Sequence, residues 1–215
     1  MKSFTKLYIP IALETLCYML AGMVDTIMLS TVGDSAVGAV GTANTYINVF
    51  IIMFHVVSSG MIAVMTQYIG AKRIGVAFQA RQLGAVFNMV LGVALSIFLF
   101  VFSGLILEIV GVAPLLMDYA KTYLKIVGGF CFLNALIPIF SSYLRAFGYT
   151  KQPLIATLVA NVVNLCLNAV FLFGLHAGVA GVAVATVLSR ILNLAIVIVA
   201  SKILVKAKED SERLK

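Results

Sequence analysis

Apolar residues fill long stretches of this chain, and polar residues gather in short interruptions between them. Six apolar stretches stand out, at residues 7–30, 41–69, 83–107, 114–146, 154–173 and 179–204. A helix needs roughly 20 apolar residues to cross the hydrocarbon core of a bilayer, so each stretch is expected to cross once. Barrel strands would be about ten residues of alternating character; these runs are longer and unbroken. The interruptions carry turn formers: VGDS at 32–35, GAKR at 70–73 and GYTKQP at 148–153, with Gly174 and Gly178 bounding another turn. A short polar stretch after GAKR reaches Arg81. Pro10 is expected in the first turn of the first helix, where proline is tolerated. The fourth stretch opens amphipathic with Asp118, Lys121 and Lys125. The pattern predicts an all-α membrane protein, one six-helix transmembrane bundle over residues 1–215. The charged tail KAKEDSERLK at 206–215 reads as helical at first and as the start of a linker.

Composition strengthens the membrane reading. Of 215 residues, 62% are apolar and 11% charged. Soluble domains average about 45–50% and 25%. Mean hydropathy is +1.12. So few polar groups cannot cover a soluble globule, which excludes a soluble enzyme, a disordered chain and a nucleic-acid module. The first apolar run is too long for a signal-peptide core and contains acidic residues. Cys17, Cys131 and Cys166 sit inside apolar runs without metal-ligand spacing and read as packing residues.

The net charge of +7 is informative by position. Lys2, Lys6, Lys72, Arg73, Arg81, Arg145, Lys151, Lys202 and the four basic residues of 206–215 fall on the side of the N-terminus. Lys121 and Lys125 fall on the other, and Arg190 lies within the sixth stretch. Basic residues concentrate on the cytoplasmic side. Both termini are therefore expected in the cytoplasm of a multi-pass protein of the cell membrane.

Ionisable groups inside a membrane are costly and mark function by default. Glu14, Asp25 and Arg190 are the candidates. Glu14 lies close enough to the expected cytoplasmic end for partial hydration to explain it. Eleven residues separate it from Asp25, about three helical turns, so the two share a face. Asn161, Asn164 and Asn168 form a stripe on the fifth stretch, and Thr186 and Arg190 stand four apart on the sixth. Counting back from the expected outer ends, Asp25, Asn164, Asn168 and Thr186 lie roughly 7–15 Å deep. A carboxylate, two amides and a hydroxyl at one level could cage a small cation. Alternatively, Asp25 carries a proton. The second stretch adds Asn44, Asn48 and His55 on one face, the start of a candidate substrate path that continues to Gln67. Nine methionines and fourteen phenylalanines suit either an adaptable apolar cavity or a lipid-facing surface. No phosphate loop, hydrolase carboxylate pair or nucleophile motif occurs, so neither enzyme nor cofactor is expected.

Several segments resemble the multidrug and toxic compound extrusion (MATE) transporters. Pro10 followed by the Asp25-Thr26 pair is similar to that family's first helix. GDSAVGAVGTAN at 33–44 resembles its first loop, and QYIGAK at 67–72 the end of its second helix. LRAFGYTKQP at 144–153 resembles its loop between helices four and five. NVVNLCLN at 161–168 resembles its fifth helix, and residues 178–189 its sixth. The resemblance implies an antiporter expelling organic cations and other amphipathic drugs against an H+ or Na+ gradient. It also implies a coupling site at Asp25, Asn164, Asn168 and Thr186, with Asn134 as a further member. Some relatives carry aspartate where this chain has Asn168, which weakens a two-carboxylate proton relay here.

The family has two six-helix lobes, and this chain matches the first. The resemblance implies a fragment, a split-gene product or a half-size protein that pairs with a second lobe or with itself. Two other readings stand beside it: a truncated lobe that scaffolds a partner, and a flippase of lipid-linked saccharides. A flippase would line its groove with several cationic residues, whereas Arg190 is the one intramembrane arginine expected.

Overall fold

The computed structural model describes residues 2–205, with side chains from Ile9 onward. The linker-like stretch at 206–215 lies outside the described residues. Seven α-helices and no strand occur among them: α1 (Lys2–Ser30), α2 (Asp34–Gly70), α3 (Ile74–Ile109), α4 (Pro114–Tyr123), α5 (Cys131–Ala146), α6 (Lys151–Ala169) and α7 (Gly178–Ala200). Single π-helical turns extend α4 over Leu124–Gly128, α6 over Val170–Gly174 and α7 over Ser201–Val205. Five helices are individually long and apolar enough to cross a membrane, and the bent α4–α5 pair is long and apolar enough when its two parts are taken together.

The helices outrun the apolar stretches. α2 begins at Asp34 and α3 at Ile74, so the polar stretch up to Arg81 is helical. Hydropathy marks where hydrocarbon begins; intrahelical hydrogen bonds continue through amphipathic turns beyond it. Asp34 suits the first turn of α2, where a carboxylate meets the positive end of the helix dipole. GYTKQP forms a shorter loop than its composition suggests, because α6 begins at Lys151 and Pro153 sits in its first turn. Pro10 lies inside α1 rather than in its first turn, because α1 begins at Lys2.

The fourth stretch is broken. Pro114–Gly128 and Cys131–Ala146 meet at a 44° bend. Two glycines, Gly128 and Gly129, stand at the break. A backbone group freed within a membrane needs a new partner. Here Ser96 of α3 supplies one: its Oγ accepts the Phe132 N–H at 3.0 Å. Asn88, also on α3, donates to the Ala135 carbonyl at 2.9 Å. These side chains tie α3 to α5 on both sides of one close approach. A Cβ added at Gly92 would stand 2.8 Å from the Ala135 Cβ and 2.9 Å from the Phe132 Cα. Only glycine admits that contact.

α3 packs against α5 and α2, and α6 against α7 and α1; α5 also reaches α2 and α7. Phe54, Ile47, Leu99, Leu124 and Val182 form the centre of the main apolar core. Outward faces are apolar as well: Met19, Val90 and Ile109 are 65%, 66% and 76% exposed. An outer surface this apolar fits hydrocarbon and not water.

Candidate substrate cavity and ion site

Polar side chains from α1, α2, α5, α6 and α7 face inward and line a cavity of about 570 Å³. That volume lies within the usual range for small-molecule sites, about 300–1,000 Å³. α1 contributes Glu14 and Asp25, which confirms that eleven-residue spacing places them on one face. α2 contributes Asn44, Asn48 and His55. α5 contributes Asn134 and Arg145, α6 Asn161 and Asn164, and α7 Thr186, Arg190 and Asn193. The structure does not bring Gln67 to the cavity. It is exposed one turn from the end of α2, where its carbonyl accepts the Ala71 N–H.

Three of the residues expected at the coupling site, Asp25, Asn164 and Asn168, meet across α1 and α6. Asn168 Nδ2 donates to Asp25 Oδ1 at 2.6 Å and stands 3.3 Å from Asn164 Oδ1. Asn168 is fully buried behind Asp25 and is not part of the cavity wall, while Asp25 and Asn164 are. Its Oδ1 is buried without a partner. Thr186 lines the same cavity, but its hydroxyl donates to the Val182 carbonyl at 2.9 Å, the local backbone bond common for threonine in helices. It offers the cavity an oxygen acceptor. Asn134 lies apart from this group and accepts from Arg190 Nη1.

Asn161, third of the stripe, has a structural task. Its Nδ2 donates to the Cys17 carbonyl at 2.9 Å and fastens α6 to α1. Asn193, Thr157 and Tyr18 form a weaker triangle of 3.5 Å contacts between α7, α6 and α1. Asn193 carries a legible signal: it stands seven residues after Thr186 and three after Arg190, on the same helical face. Glu14 pairs with Arg145 at 2.5 Å, with side chains 7% and 18% exposed. A partner 131 residues away in sequence, and not partial hydration alone, therefore accommodates this carboxylate. Arg145 has no such signal, because it stands at the polar end of its helix and reads as part of the charged rim.

Among the described residues, no three His, Cys, Asp or Glu gather into a metal site. The oxygens near Asp25 are of the kind that holds a proton or a hard monovalent cation.

A family model described as MatE matches residues 10–170. The chain is 36% identical over 194 residues to an uncharacterized transporter, YisQ, of Bacillus subtilis, covering 88% of this chain and 43% of that protein. It is 31% identical over 205 residues to a probable multidrug resistance protein, NorM, of Thermotoga maritima, covering 88% and 42%. The chain thus spans less than half the length of these curated relatives. Among solved structures, the fold is similar to a MATE protein crystallised with MaL6, at a TM-score of 0.87 and 22% identity over 96% of this chain and 45% of that one. It is also similar to a MOP superfamily transporter from Pyrococcus furiosus, at 0.83 and 21% over 91% and 43%. At these identities the structural likeness concerns the fold.

Proposed function

This chain belongs to the MatE family, and from that premise we propose that it is the amino-terminal lobe of a secondary antiporter. It exports drugs, organic cations or metabolites in exchange for H+ or Na+. The observation that carries this reading is the Asp25–Asn168–Asn164 cluster. It places one carboxylate on the wall of a solute-sized cavity, held by an amide from behind. A cation or proton on Asp25 changes both its charge and its bond to Asn168. Exchange follows if a cationic solute and the coupling ion compete for the same carboxylate. The oxygens of Asn164 and Thr186 complete the cluster for Na+, and Asp25 alone suffices for H+.

The flippase reading is not favoured. Arg145 does line the cavity, but Glu14 neutralises it. Arg190 would face a pyrophosphate alone. A mere scaffold would have no use for a polar cavity of this size.

The lobe works with a second one, because its relatives are more than twice as long and transporters place their path between repeats. A homologous lobe is the natural partner; a two-fold homodimer is the alternative. The assembly sits in the cell membrane with both termini cytoplasmic, as the basic asymmetry supports. The test is export by proteoliposomes under an imposed H+ or Na+ gradient, with and without a co-expressed second lobe. Gradient-driven export only from the paired assembly supports the reading. Transport by a 23.0 kDa monomer contradicts the pairing.

A further inference from the structure

Arg190 is an awkward residue for a cavity that handles cations only. A guanidinium on the wall repels them, and one inside a membrane normally has an anionic partner. Among the described residues the single ion pair is Glu14–Arg145. Arg190 instead donates to Asn134 Oδ1. That bond fixes the amide orientation of Asn134, so its Nδ2 is the free end. Asn134 is 4% exposed, lines the cavity, and its Nδ2 has no oxygen acceptor, with only the weakly accepting Cys131 sulfur near it. A buried donor left unpaired is costly. The α5–α7 wall therefore presents an excess of hydrogen-bond donors: the remaining guanidinium N–H groups beside an unpaired amide.

We infer that Arg190 and Asn134 form a subsite for the carboxylate group of a transported solute. A carboxylate matches the planar guanidinium fork with two parallel bonds and leaves an oxygen lone pair for Asn134 Nδ2. The size of the charge also favours it. Glu14 and Asp25 cancel Arg145 and Arg190 formally, so a monoanion adds one uncompensated charge to the cavity and a phosphate dianion adds two. This subsite rests on the reading of the cavity as the solute path, and it adds carboxylate-bearing solutes, zwitterions included, to those the path accepts.

The test uses three variants of the assembled, two-lobe protein in phosphatidylcholine nanodiscs, with dansylglycine and its methyl ester as fluorescent probes. The wild type should bind the acid about tenfold or more tighter than the ester, as expected for charge-assisted bonds. Arg190→Gln should collapse that ratio to near one, the ester serving as internal reference. Arg190→Lys keeps the charge but loses the fork and should retain part of the preference. Asn134→Ala should reduce it severalfold. If Arg190→Gln fails to fold, the Lys and Ala variants decide the matter by the same ratio. Equal wild-type affinities, or an unchanged ratio in the variants, would overturn the subsite. Loss of the preference when phosphatidylglycerol replaces phosphatidylcholine, at a salt concentration that screens the surface charge, would assign the donors to an anionic lipid headgroup instead and overturn the solute. Gradient-driven export insensitive to Asp25→Asn, with the acid preference intact, would sink the coupling proposal and leave this one standing.

Discussion

Asn168 and Asp25 are 143 residues apart in sequence, and Asn168 Nδ2 reaches Asp25 Oδ1 at 2.6 Å. The amide is fully buried and the carboxylate faces the cavity, so the bond runs outward from the protein interior to the cavity wall. Removing the amide leaves the carboxylate without its fixed donor. Asn168→Ala should cost about 1–3 kcal/mol, as for an unmade buried hydrogen bond. A thermal-shift assay in detergent reads this directly. Full export at wild-type stability would mean the bond is incidental.

Asn168→Asp tests the electrostatics of the same pair. Two carboxylates at hydrogen-bond distance cannot both ionise cheaply. The variant should therefore shift the pH or ion dependence of export. An unchanged profile would show that position 168 does not communicate with Asp25.

Glu14 and Arg145 make a mostly buried pair, so losing one partner strands the other. Glu14→Gln is expected to destabilise by about 3–5 kcal/mol. The double variant Glu14→Gln/Arg145→Gln should recover much of that loss. A double variant no better than the single would place the cost elsewhere in the α1–α5 contact.

Gly92 marks the closest approach of α3 to α5. Gly92→Val drives side-chain atoms into the Phe132 backbone and the Ala135 methyl. Overpacking of this kind costs about 1–3 kcal/mol. Loss of thermal stability should exceed that of Gly22→Val, where an added Cβ meets nothing within 4 Å.

The long apolar helices were legible because hydrocarbon demands long apolar runs and tolerates little else. Depth counting also brought Asp25, Asn164 and Asn168 to one level, since rise per residue is fixed in a helix. It could not show that α1 and α6 are neighbours, which depends on packing. The break after Gly128 was hidden, because two glycines in an apolar run do not announce a bend. Its stabiliser, Ser96, lies on another helix. The Glu14–Arg145 pair was illegible for the same reason: charge pairing across 131 residues is a tertiary fact. Gln67 followed the family resemblance at the end of the second helix, and no spacing argument placed it on the cavity face.

The proposed orientation, with both termini cytoplasmic, rests on the basic residues gathered at one end of the helices. Single cysteines near Asp34, Ala113 and Ala177 should react with an impermeant reagent added outside the cell, while those near Lys72 and Lys151 should not. Labelling near Lys72 from outside would reverse the topology.

Asp25 is the residue on which the transport account stands. The most direct measurement compares gradient-driven export by wild type and Asp25→Asn in proteoliposomes of the assembled transporter, at matched folded protein. The account predicts export at background for Asp25→Asn, with solute still able to enter the cavity. Export at the wild-type rate would contradict it.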